Sequence, residues 1–183
     1  MIDSREASEA LSDINEIAQR VRQSTIYNLA SLMMVTWGVL VFAGNVSSFL
    51  LPRLGGLIWL GVYVVGIAGS SLFSAMDYPR TGIRSFDIRM LVALLLFISF
   101  GIFTGNWLGH FTPRQLGTFW AIYFMLVYTI AGLWFGRAFV VIGVGVTVLT
   151  LIGYFLVGAW FEPWMAVVNG GGLILGGLWM RRS

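Results

Sequence analysis

Residues 138–157 read AFVVIGVGVTVLTLIGYFLV, twenty positions without a charged side chain. Hydrocarbon about 30 Å thick is crossed by roughly 20 apolar residues of helix, so this stretch alone has the length and character of a span. Working outward, residues 26–44, 54–76, 88–106, 116–135 and 164–180 meet the same requirement once tilt and snorkelling are allowed for, the last being the shortest. All six runs are apolar on every face, whereas strands of a membrane barrel alternate polar and apolar residues over about ten positions. The expectation is an all-α membrane protein with six transmembrane helices, residues 26–183 forming the membrane domain.

Composition agrees. Of 183 residues, 58% are hydrophobic and 10% charged, and the mean hydropathy is +0.85. A soluble domain carries about a quarter of its residues charged, so lipid is expected to be the main solvent and the bilayer the main partner. The formal charge of +3 comes from eleven Arg and no Lys, scattered singly between apolar runs. A nucleic-acid-binding face needs a basic stripe, and none is present. Without Cys, disulfides, thiolate chemistry and iron–sulfur clusters are excluded. The polar, acidic start lacks the basic region and short apolar core of a signal peptide.

Arginine sets the orientation. With the N-terminus inside, Arg5, Arg20, Arg22, Arg80, Arg84, Arg89, Arg137, Arg181 and Arg182 fall on one side, and only Arg53 and Arg114 on the other. Both termini are therefore expected in the cytoplasm, in a multi-pass protein of the cell (inner) membrane.

Residues 1–25 form the sole sizeable extramembrane segment. Ala7, Ala10, Ile14, Ile17 and Val21 recur at spacings of three and four, which marks an amphipathic helix. Asp3 and Glu6 have the spacing of a capping box, and Arg20 with Arg22 suit the negative C-terminal pole. Five acids (Asp3, Glu6, Glu9, Asp13, Glu16) against three Arg are unlike a lipid-surface anchor. Residues 3–22 thus read as a protein-packing helix, which either folds back on its own bundle or meets a cytoplasmic protein or a second copy.

Offset by 61 residues, the chain matches itself. Phe42, Gly44, Asn45, Pro52, Arg53, Gly56 and Trp59 align with Phe103, Gly105, Asn106, Pro113, Arg114, Gly117 and Trp120. Seven identities in 18 positions compare with about one or two from composition. The unit is a helix ending in Phe-x-Gly-Asn, a loop ending in Pro-Arg, and a helix bearing Trp about two turns in. With residues 153–180 as a shorter third copy, the fold reads as three parallel two-helix hairpins around an axis along the membrane normal. Small residues four apart, as at Gly66-Ser70-Ser74, Gly101-Gly105-Gly109 and Gly172-Gly176, imply a compact bundle or a homo-oligomer.

No enzymatic constellation is legible. His110 is the one His and has no Cys beside it, so neither a metal site nor a cofactor is expected. No carboxylate falls at mid-membrane, which leaves an acidic proton relay without its key residue. Amides and aromatics remain. Asn45, Asn106 and Asn169 must find partners in lipid, and Trp59 with Trp120 occupy equivalent repeat positions. These five are the candidates to line a solute path, each balanced by a structural role in helix termination or packing.

The run Phe161-Glu162-Pro163-Trp164-Met165-Ala166-Val167-Val168-Asn169-Gly170 resembles the AmiS/UreI urea/amide channel family, which shows a similar aromatic-x-Pro-Trp-x-Ala run there. Gly38, Asn45, Pro113, Gly117 and Trp120 are compatible with that pattern. The family's carboxylate ahead of the Gly is Asn169 in this chain, and the N-terminal helix is additional. The resemblance implies a passive channel or facilitator for a small neutral solute. The alternative is a non-transporting sensor or scaffold whose N-terminal helix binds a partner or mediates oligomerisation. A continuous polar path would favour the first reading, and a plugged, apolar centre the second.

Overall fold

The computed structural model describes the backbone of residues 28–81 and 88–181, and the side chains of 28–76 and 92–181. The amphipathic helix expected in residues 1–25, its contact surface at 3–22 and the connection 82–87 lie outside the described residues.

Helices account for nearly all of the rest, with no strand among the described residues. Helix α1 spans Asn28–Leu50. A 3-10 turn, Pro52–Leu54, leads into α2, Gly55–Thr81. Helix α3, Ile88–Ile102, continues through a π-helical turn, Phe103–Leu108. Helix α4 spans Pro113–Phe135 and α5 spans Arg137–Leu156. Helix α6 covers residues 161–180: α-helical over Phe161–Met165, π-helical over Ala166–Gly171, and α-helical again over Gly172–Met180. Four described stretches are long and apolar enough to cross a membrane: Asn28–Leu50, Pro52–Met76, Pro113–Phe135 and Arg137–Leu156.

The first helix departs from its expected end. Asn45 does not terminate α1, which continues to Leu50. Its Nδ2 donates to Val41 O at 2.8 Å, so the amide is satisfied on its own helix. The stop comes at Pro52, whose ring and missing N–H forbid a further turn.

Close backbone approach organises the centre. A methyl placed on Gly38 of α1 would stand 2.8 Å from Gly170 O and 2.9 Å from Ile174 N of α6. Further along the same seam, Ser31 Oγ donates to Gly177 O at 2.6 Å. Helix α5 covers the next face of α6, with Ile142 against Gly176 and Val146 against Gly172. Helix α4 follows α5 through a connection of one residue, Gly136, whose φ of 133° and ψ of 161° lie where a side chain is strained. Around these helices the core is Met34, Met125, Ala138, Phe139, Ile142, Val146, Val168, Leu173 and Met180.

Helices α2 and α3 pack on the flanks. Trp37 of α1 covers Gly66 of α2 and donates its indole N–H to Ser70 Oγ at 3.0 Å. Phe97 of α3 stacks on Tyr123 of α4, with centroids 3.9 Å apart. Leu57, Leu60, Val64, Leu95, Leu96 and Phe100 remain exposed on these two helices, as faces turned to lipid would be. All neighbours named so far run antiparallel. The α1–α2, α3–α4 and α5–α6 connections consequently share one end of the bundle, the hairpin end.

Trp59 and Trp120 each cover a glycine of the preceding helix, but not the equivalent one. Trp59 lies over Gly44, and Trp120 over Gly101, one turn before the aligned Gly105. The connections explain the slip. Leu51 alone separates α1 from the turn leading into α2, whereas residues 109–112 separate α3 from α4.

Candidate functional site

The five sequence candidates divide. Asn45 and Asn169 are both buried, each 5% exposed. The α1–α6 register, fixed by Phe42 on Gly170 and by Phe49 stacked on Trp160, brings them to similar height, with Asn45 near the level of Met165. Asn169 Nδ2 donates to Met165 Sδ at 3.4 Å. Trp59 lies on the α1–α2 flank and Trp120 on the α3–α4 flank, within a cluster that includes Phe119, Tyr123 and Phe124. Asn106 is exposed in the π-turn ending α3. The structure therefore buries two of the five and leaves three at the periphery.

What surrounds the buried pair was not singled out by the sequence. Thr118 of α4, 7% exposed, and Thr150 of α5, 0% exposed, are also buried polar residues in the hairpin half. Val146 on Gly172 and Gly153 against Trp164 set the α5–α6 register and place Thr150 opposite Val168 and Asn169. Three buried polar atoms in this half have no hydrogen-bond partner: Ser48 Oγ, Arg114 Nε and Thr150 Oγ1. Such orphans cost free energy in an apolar surround.

Arg114 is the strongest polar element. Thr112 caps α4 and Pro113 opens it, while Gln115 closes a capping box by accepting from Thr112 N at 2.9 Å. This rigid turn aims Arg114 at the C-terminal end of α5. Its Nη2 donates to Gly153 O at 3.2 Å and Tyr154 O at 2.6 Å, and its Nη1 to Gly158 O at 3.1 Å. The guanidinium also lies 4.9 Å from the Phe161 ring centroid and 5.5 Å from that of Tyr154. The negative pole of α5 thus meets a cation. One sequence signal pointed here: a cation in the first turn of a helix opposes that helix's own dipole and calls for carbonyls from elsewhere.

Beside this clamp is an open groove of about 190 Å³, lined by Phe111, Gln115, Thr118, Phe119 and Tyr154. Half-buried Glu162 stands in the first turn of α6. A second, apolar groove of about 310 Å³ runs between α5 and α6, past Val141, Gly145, Leu149, Leu175 and Trp179. Neither groove is lined by any of the five candidates.

Among the described residues, the half of the bundle away from the hairpin end buries mostly apolar side chains. Met34 and Met180 are each 1% exposed and Met125 is 3% exposed, packed with Phe139, Ile142 and Leu173. In the hairpin half Asn45, Thr118, Thr150 and Asn169 are buried together with apolar Phe161, Met165 and Ala166, and Arg114 ties the start of α4 to the α5–α6 turn. Comparison with family models, curated proteins and solved structures finds no match to this chain.

Proposed function

We propose that this is an integral membrane protein of six crossings that does not conduct, its bundle serving as a sensor or scaffold coupled to the N-terminal helix. The observation that carries the reading is the buried apolar cluster of Met34, Met125, Ile142, Leu173 and Met180 at the centre of the bundle. Buried apolar side chains offer a polar solute no hydrogen bonds, which supports a centre that does not conduct. Helices α3 and α6 supply the fifth and sixth crossings, each about as long as hydrocarbon requires once its π-turn is counted. The arginine bias puts both termini in the cytoplasm of a cell carrying the protein in its inner membrane. There residues 3–22 would meet a cytoplasmic partner or a second copy.

The facilitator reading implied by the resemblance to urea/amide channels draws support from the buried polar residues Asn45, Thr118, Thr150 and Asn169. Liposome flux separates the two. Vesicles containing the full chain should pass urea, acetamide, glycerol and water no faster than protein-free vesicles. A rate above that control for any of the four would overturn the non-conducting reading in favour of facilitation.

A further inference from the structure

The apolar groove between α5 and α6 has a floor without a side chain and walls that stand open. A methyl on Gly145 would meet nothing within 4 Å, while Val141 is 56%, Leu175 70% and Trp179 47% exposed beside it. Its lining residues on α5 recur four apart, at Val141, Gly145 and Leu149, so the groove follows one row of the helix for about 12 Å. A groove of about 310 Å³ drawn out over that length has the calibre of a hydrocarbon chain, whereas a helix about 10–12 Å across could only lie over it.

The same row begins with a charge. Arg137, one turn before Val141, opens α5 and is exposed. A cation in the first turn opposes its own helix dipole, so α5 offers it no partner there. Ile142 on Gly176 and Val146 on Gly172 match each turn up α5 with a turn down α6. That register carries Arg137 to the level of Arg181, the exposed residue that caps α6. Helices packed 8–10 Å apart put the two positions about one screening length from each other. Among the described side chains the one carboxylate is Glu162, at the opposite end of α6. Two cations at one end of an apolar furrow match a molecule with an anionic head and a hydrocarbon tail. A second copy of the chain is a poorer match. Two copies facing each other here would share their orientation in the membrane and bring four arginines to one level.

We propose that this groove holds an acyl chain of an anionic phospholipid, its phosphate at Arg137 and within the positive field of Arg181. The site requires α5 and α6 to cross the membrane together, and it is independent of whether the bundle conducts.

Quenching of Trp179 tests it, because that indole lines the groove. The full-length protein is reconstituted in phosphatidylcholine with rising fractions of brominated phosphatidylglycerol or brominated phosphatidylcholine, and the signal of Trp179→Phe is subtracted to isolate Trp179. Wild type should prefer phosphatidylglycerol at this position by about fivefold or more, the factor expected from one basic residue beside an anionic headgroup. Arg137→Gln should lower the preference by about that factor, and Arg137→Gln with Arg181→Gln should abolish it. Gly145→Leu fills the furrow where there is room for a side chain, and should also abolish the preference although both charges remain. Equal quenching by the two lipids in wild type overturns the proposal, as does a preference that survives either the double arginine variant or Gly145→Leu. If neither brominated lipid quenches Trp179, the crossing by α6 falls together with the lipid site.

Discussion

At the scale of single residues, Arg114 carries the most interactions that no other side chain could replace. Its planar fork reaches three carbonyls on two sides of the α5–α6 turn, and its flat face lies against two rings. A lysine offers a point charge of similar length without the fork. Replacing Arg114 with Gln should therefore lower unfolding free energy by about 2–3 kcal/mol, the range for lost bonds to a charged group. Arg114→Lys should recover less than half of that. Reversible unfolding in mixed micelles measures both, and equal stability of the Lys variant and wild type would show that charge alone suffices.

At the scale of elements, glycine contacts divide helix faces that must touch from helix faces that stand open. A methyl on Gly38 meets backbone of α6, which cannot move aside, whereas one on Gly145 meets nothing within 4 Å. Gly38→Ala should cost about 2–3 kcal/mol as an overpacked contact. Gly145→Ala should leave stability unchanged or raise it by up to about 1 kcal/mol, through helix propensity. The two variants in one unfolding series give the comparison, and similar outcomes would argue against the α1–α6 seam.

Elements were legible in the sequence wherever hydropathy governs. The apolar runs found the four described helices that are long and apolar enough to cross a membrane, although α1 runs past its expected end to Leu50, because lipid solvation responds to composition summed over about 20 positions. Asn45 misled, since an amide that satisfies itself on Val41 O reads in sequence as a terminator. The π-turns at Phe103–Leu108 and Ala166–Gly171 were not legible, being set by packing rather than by any local residue preference. The matched Trp59 and Trp120 were visible as a pair, but their one-turn slip depends on connection lengths that differ. Of the candidate site, Asn45 and Asn169 were found by the rule that amides in lipid need partners. Thr118 and Thr150 went unnoticed, because a threonine in an apolar helix is unremarkable until its acceptor is known.

For the whole molecule, orientation is the property on which the proposed coupling depends. Nine of eleven Arg lie on one side if six crossings are made. Reporter fusions at Arg84, Arg137 and Ser183 should read cytoplasmic, and a fusion near His110 external. An external C-terminus would leave an odd number of crossings and separate residues 1–25 from the chain's other end.

The single-residue connection at Gly136 also constrains how the protein is made. Helices that insert one at a time need enough slack for the first to settle before the next arrives. With Phe135 and Arg137 already helical on either side, α4 and α5 have no such slack. On the six-crossing reading proposed above, α4 and α5 would enter the membrane as one pair, in contact at Gly132 and Gly143. That reading expects a two-helix step in the middle of the chain, with the Arg114 clamp closing once the pair meets the α5–α6 turn.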